Sequence, residues 1–418
     1  MGAAFFIALR YLRGRAKEGG RYLRGAAAGI ALSLVPIIVT LIVADGMIRG
    51  ITDRFIELGT GHLQVYDFSG GGDLESRIPL MAEIQGFRGA WRERRGLGVV
   101  IGERAKRGAA IRTVDSSFWE DEGGAAYLVS VEGLLFPRND REITLGQALA
   151  SEIGAKAGDT VRIMTVRDMD GRPVPRITVF TVAGIVSSGY RELDSLWCIA
   201  TIEGGERALG NDAGRAYLLV KIADPYRGAA QFSIALQQKL GPSYGVYTWG
   251  ELQQAQYSSY ESTRQLLLFI MALIVAVAAV NVSSATSMLV IERRRDIAVL
   301  KASGASPRNA GAIFIMGGFL TGLCGAILGT GVGLLLGINI NPIIHGLERA
   351  LSFFSGLFRG GEVKILDPGY YLENIPVIVD WAAVFLIVFF TILCSVLASW
   401  IPAYRAGRLR PLELFRKY

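Results

Sequence analysis

Two long runs free of any charged residue, 265–291 and 309–344, meet at a short and densely charged segment, 292–308, that reads ERRRDIAVLKASGASPR. About 20 apolar residues in a row are enough to cross the hydrocarbon core of a bilayer. In lipid every backbone N–H and C=O must be satisfied internally, and a run of this length does so as a helix. The chain is therefore predicted to cross a membrane, turn in one polar helical elbow, and cross back. Two more charge-free runs, 25–44 and 381–404, add a first and a last span. The predicted spans are 25–48, 263–291, 309–340 and 381–404. Pro36 lies inside the first, where neighbouring helices can satisfy the carbonyl that it frees.

Charge then orients the spans. The 418-residue chain carries a net charge of +7, but the excess is confined to three short segments. Residues 1–24, 292–308 and 403–418 hold sixteen Lys/Arg against four acids, a net +12 that leaves −5 for everything else. Positive charge flanking apolar runs is the positive-inside bias, not a nucleic-acid footprint. Four spans place all three basic segments on one side only if both termini are cytoplasmic. Residues 1–24 are expected to be an uncleaved cytoplasmic or interfacial segment, with Phe5, Phe6 and Leu9 dipping into lipid or simply beginning the approach to the first span. The segment 405–418 is the cytoplasmic tail, and residues 49–262 and 341–380 lie outside.

Several function classes drop out. Three cysteines, two of them (Cys324 and Cys394) inside apolar runs, cannot make a disulfide framework. The two histidines, His62 and His345, have no Cys or acidic neighbours at ligand spacing, so no metal site is expected. No G-x-x-x-x-G-K-S/T motif occurs, so the chain does not bind ATP by a P-loop of its own. No nucleophile–base constellation supports a catalytic site.

The outer segment 49–262 reads as an α+β domain of two subdomains, with an inserted part at about 125–215. Alternating apolar stretches predict strands at 62–66, 98–102, 109–114, 127–132, 160–166, 178–186, 196–201 and 216–222. Helices are predicted at 83–95, 145–154, 203–209 and 225–240. Residues 167–176, RDMDGRPVPR, form a polar connection containing the turn signal Asp170-Gly171 and the prolines Pro173 and Pro175. It is either a plain hairpin tip or a handle for a soluble partner. In 341–380 an amphipathic helix is expected along the outer membrane face. In the third span Gly325, Gly329, Gly333 and Gly337 recur at a spacing of four, one per turn on one face. Such a stripe allows close helix packing, either within the chain or against another subunit.

The order of these parts resembles the FtsX/MacB-type permease subunits of ABC transporters. The elbow ERRRDIAVLKASGASPR is similar to the family's cytoplasmic coupling segment, and PAYRAGRLRPLELFRKY to its terminal signature. Three stretches resemble the lipoprotein-releasing, LolC/LolE-type branch: RYLRGRAKEGG at 10–20, ITLGQALASEIGAKAGDTVRIMT at 143–165 and DPGYYLENIPVIVDW at 367–381. The likeness covers essentially the whole length, with a departure at the first-span exit, ADGMIRG, where an Asn before the Gly is expected.

The resemblance implies a membrane protein with four transmembrane α-helices and a large α+β extracytoplasmic domain inserted between the first and second, in the bacterial inner membrane. It implies a cytoplasmic ABC ATPase dimer that holds ATP and Mg2+, leaving this chain without a cofactor, and a second permease subunit, identical or a sister. The ATPase would push on Glu292, Arg293, Arg294, Arg295, Ala298, Val299, Leu300 and Gly304. A triacylated lipoprotein would be taken from the outer leaflet and handed to a periplasmic carrier. The carrier would dock on a hook, for which Asp168, Asp170, Gly171, Pro173 and Pro175 are the candidates by position. A MacB-like efflux permease and an FtsX-like signalling subunit are the alternatives. The bland reading of the elbow is a hairpin loop whose arginines bind membrane lipid phosphates.

Overall fold

The computed structural model describes residues 2–13, 20–69, 73–169, 172–210, 216–357, 372 and 375–408. Contacts divide the chain into a membrane unit (Met1–Gly46, Tyr260–Val363, Ile375–Tyr418) and an outer unit (Met47–Ser259, Lys364–Asn374). Four helices among the described residues are long and apolar enough to cross a membrane. They run Gly20–Arg54, Gln254–Glu292, Pro307–Ile338 and Trp381–Arg408. The second starts at Gln254, well ahead of its charge-free run, and its 39 residues extend for about 58 Å.

The third span is the centre of the membrane unit, and glycine is the reason. A Cβ on Gly325 would lie 2.7 Å from Ile30 Cβ, and one on Gly329 would lie 2.8 Å from Ala31 Cα and from Leu34 Cβ. Gly333 and Gly337 face Ile38 and Ile42 of the same first span. A second set, Gly311, Gly318 and Gly322, faces Ala403, Ser399 and Ser395 of the fourth span. Both stripes are thus occupied by neighbours within the chain. Lipid tails are as apolar as leucine, so what holds these helices together is close van der Waals packing, which only small residues allow. At the outer end, Arg264 pairs with Asp45 at 3.1 Å and with Asp380 at 2.9 Å. The other oxygen of Asp380 accepts from the Ala382 and Ala383 N–H groups and so caps the fourth span. An 18-residue helix, Ile340–Leu357, follows the third span.

Among the described residues the outer unit contains ten strands: β1 (Leu63–Asp67), β2 (Phe87–Ile101), β3 (Lys106–Val114), β4 (Val129–Gly133), β5 (Glu142–Gly146), β6 (Thr160–Met169), β7 (Arg172–Ser187), β8 (Trp197–Ala200), β9 (Ala216–Ile222) and β10 (Tyr244–Thr248). The N-terminal part of β2 completes an antiparallel sheet β10-β1-β9-β2. The helix Ala229–Leu240 covers one face of it, with Phe232 and Leu236 against Leu63, Val65, Leu218 and Val220. The C-terminal part of β2 enters a ring of pairings, β2-β3-β8-β5-β7-β6 and back to β2, in which β3·β8 and β5·β7 are parallel. Val100, Ile111, Ile143, Leu145, Val161, Ile163, Phe180 and Val182 fill this small barrel. The two cores share one strand.

Two sequence expectations change here. Residues 83–95, expected as a helix, contain the first nine residues of β2. The run WRERR looks like a solvated helix face, but Gly89, Gly96 and Gly98 disfavour a helix, and β3 and β9 offer partners on both sides. Of the connection 167–176, residues 167–169 and 172–176 are strand as well: pairing continues to Asp168↔Pro173 and Met169↔Arg172. Pro173 and Pro175 lie where, among the described residues, β7 pairs with β6 alone, the edge position at which proline is tolerated in a sheet. Strands β5 and β10 had no counterpart in the sequence reading.

Candidate functional site

The elbow is built by chain punctuation. The second span stops at Glu292, and a nine-residue helix, Arg294–Ala302, follows directly. Gly304 ends that helix at φ +91°, a left-handed conformation that favours glycine. Its N–H donates to Lys301 O and the next N–H to Leu300 O, satisfying carbonyls of the last turn. Ser306 then caps the third span by accepting from Asn309 N at 3.2 Å, with Pro307 in the first helical position.

The elbow helix is fixed from behind. Ile297 is buried in a cluster with Leu23, Leu289, Val290, Ala310, Phe314, Ala403 and Ala406, and Ala298 beside it is buried as well. Arg293 pairs with Asp296 at 3.2 Å, and Lys301 Nζ donates to Gly407 O at 2.9 Å, at the end of the fourth span. Glu292, Arg294, Arg295 and Val299 are exposed, Leu300 is half-buried, and Gly304 is exposed. Of the three consecutive apolar positions on which the ATPase is expected to push, Ala298, Val299 and Leu300, the first does not face outward. Successive helical residues are 100° apart, so three in a row cannot face one way. Ala298 is 3% exposed and belongs to the core, whereas Val299 is 58% exposed. What faces outward is a charged rim around one exposed apolar side chain, Val299.

The hook candidates that the structure describes lie where the paired ends of β6 and β7 meet. Asp168 is in β6, Pro173 and Pro175 are in β7, and Asp170 and Gly171 lie outside the described residues. The four stripe glycines of the third span, by contrast, are all brought together, against the first span.

The sequence reading missed a buried ionic cluster in the outer unit. Glu93 on β2 and Arg112 on β3 are both fully buried and pair at 2.6 Å. Tyr217 donates to Glu93 at 3.0 Å and Arg95 at 3.2 Å. Arg112 also donates to Leu58 O and Gly59 O, near the end of the helical segment Phe55–Thr60, and Arg95 donates to Gly59 O at 2.7 Å. Burial alone would raise the Glu93 carboxyl, but the two guanidinium groups and the hydrogen bonds outweigh it and hold it below the usual range. Beside it Lys221 bridges Glu57 and Asp121 at 3.3 and 3.0 Å. His62 accepts the Ile222 N–H at Nδ1 and donates from Nε2 to Glu57. Capping a helix end with buried arginines satisfies carbonyls that would otherwise be orphaned. A charged residue between Ile111 and Thr113 in an apolar strand was the available signal. Among the described residues no group of three or more His, Cys, Asp or Glu could hold a metal.

Two family models match the chain. One, described as the MacB-like periplasmic core domain, matches residues 25–234, and the other, the FtsX-like permease C-terminal, matches 268–411. The chain belongs to the FtsX/MacB-type permeases. Among relatives of this permease is the lipoprotein-releasing system transmembrane protein LolC of Neisseria meningitidis, 27% identical over 98% of both chains. LolC of Xylella fastidiosa is 28% identical over 98% of both, and LolE of Haemophilus influenzae 21% over all of both. The permease is a multi-pass inner-membrane protein, with its MacB-like domain between the first and second spans and its elbow inside the FtsX-like match.

Proposed function

We propose that this permease extracts lipoproteins from the outer leaflet of the inner membrane and hands them to a periplasmic carrier. The observation that carries the reading is a likeness to LolC that extends over 98% of both chains and so takes in the elbow, the outer domain and all four spans. Removing acyl chains from a bilayer costs about 0.8 kcal/mol per CH2, which for three chains is far beyond thermal reach. The work comes from a separate ATPase dimer, which binds ATP and Mg2+ and presses on Glu292, Arg294, Arg295 and Val299. A second permease, a copy or a sister, completes the complex, and both termini face the cytoplasm with the basic segments. The carrier docks at the β6–β7 tip.

The test uses the purified permease reconstituted with ATPase, sister subunit, lipoprotein and carrier. Val299→Asp abolishes release and leaves the thermal unfolding of the permease unchanged, because the side chain is exposed. Ala298→Asp unfolds the elbow instead, because it buries an unpaired charge. Unchanged release in Val299→Asp refutes the coupling role of the elbow. Release that needs a trans-envelope adaptor and no carrier would favour the efflux reading.

A further inference from the structure

Behind the elbow, the start of the third span and the end of the fourth enclose a groove of about 480 Å³. Its walls are Pro307, Gly311, Ala312 and Ile315 on one helix and Trp400, Ala403 and Tyr404 on the other; Arg308 and Arg408 stand at its mouth. The helices can close on this floor because Gly311 and Gly407 carry no side chain: a Cβ on Gly311 would lie 3.1 Å from Ala403 O, and one on Gly407 2.6 Å from Pro307 O. None of the ten lining residues is acidic.

Three positive features converge on the mouth. Arg308 and Arg408 are exposed, and Arg408 lies 4.4 Å over the Tyr404 ring, which holds the guanidinium at the groove. The third is the N-terminus of the 32-residue helix Pro307–Ile338, the positive end of its dipole. The opposing carbonyls at the end of the fourth span are partly covered, since Lys301 donates to Gly407 O. The groove lies where the charge-free runs 309–344 and 381–404 meet their flanking basic residues. Trp400 and Tyr404, 59% and 54% exposed, are the aromatic side chains that prefer the headgroup level.

We propose that this groove binds one anionic phospholipid of the leaflet on the basic side of the membrane. Arg308 and Arg408 hold the headgroup phosphate, and an acyl chain lies along Ala312, Ile315 and Trp400. Charge decides for a lipid of this class: a zwitterionic headgroup would set its own ammonium against two guanidinium groups. The proposal needs only that the third and fourth spans cross a bilayer, and not the transport cycle above.

The experiment is native mass spectrometry of the full-length permease, released from mixed micelles holding phosphatidylglycerol and phosphatidylcholine with the same acyl chains. The wild type retains phosphatidylglycerol preferentially. Arg308→Gln/Arg408→Gln lowers that retention about 30-fold, the loss expected when two direct charge-assisted hydrogen bonds to the phosphate are removed. Ala312→Phe, which fills the groove and keeps both charges, lowers it as well. The charge-matched Arg21→Gln/Arg405→Gln, outside the groove lining, leaves it within about twofold of the wild type, the residual expected of unspecific surface charge. An equal loss in that control would overturn the proposal, as would full retention in Ala312→Phe. Tight binding of glycerophosphoglycerol, which has no acyl chains, would overturn the lipid assignment. If a second copy of the chain covers the groove, both groove variants keep their lipid and lose dimer, which also overturns it.

Discussion

Glu93→Gln tests whether the buried ionic cluster holds the end of the first helix onto the outer sheet. The carboxylate accepts from Arg112 at 2.6 and 3.2 Å, from Arg95 at 3.2 Å and from Tyr217 at 3.0 Å, with no exposed surface of its own. Glutamine keeps the shape, but it turns an NH2 group toward guanidinium donors and leaves Arg112 as an uncompensated buried charge. Breaking a buried pair from one side costs about 3–5 kcal/mol. For a unit of this size that lowers Tm by roughly 6–20 °C. Adding Arg112→Met removes the charge that was left unpaired, and replacing both partners of a buried pair is often close to neutral. Here the double variant does not return to wild type, because Leu58 O loses its donor, at about 1–3 kcal/mol. The assay is thermal unfolding of the full chain in detergent, followed by tryptophan fluorescence. Trp119 and Trp197 report locally, since their rings lie 4.7 and 5.1 Å from the Arg112 guanidinium. A cost below about 1 kcal/mol for Glu93→Gln lies outside the range for such a pair and refutes the clamp, and a double variant as stable as wild type refutes the part played by the Arg112 bond to Leu58 O.

Three further outcomes follow from the same packing. Because the folded state holds Glu93 below its ordinary value of 4.5, its contribution to stability is complete above that pH and is lost as pH falls through the lower folded value. Tm measured against pH should therefore be steeper in wild type than in Glu93→Gln only on the acid side of that value. Gly329→Leu forces the first and third spans apart, at about 1–3 kcal/mol or more. Gly331→Leu, on the same helix with open space around it, should unfold in detergent at nearly the wild-type temperature. Burial pushes the Cys198 thiol up to about 12, so in a variant keeping only that cysteine maleimide labelling at neutral pH should wait for unfolding.

The membrane half was legible because its signals are local. A charge-free run cannot avoid being a span, and Gly304, Ser306 and Pro307 mark where the elbow turns whatever surrounds them. The spacing of Gly325, Gly329, Gly333 and Gly337 showed that one face of the third span would pack closely; which helix packs there was decided by the fold. The elbow was readable as an address and not as a surface: composition made Ala298, Val299 and Leu300 equivalent, and the helical turn sent Ala298 inward.

The outer unit was less legible. Strand β2 looks helical when read alone, and β3 and β9, distant in sequence, make it a strand shared by two cores. Glu93, Arg95 and Arg112 look like surface charges until that pairing turns them toward one another and toward the carbonyls of Leu58 and Gly59. The sequence by itself determined the spans, the placement of charge between them and the breaks that shape the elbow, because each depends on transfer free energy or backbone conformation at consecutive residues. Tertiary structure alone decided the barrel, the buried cluster and the outward face of the elbow, because each depends on partners brought together from distant parts of the chain.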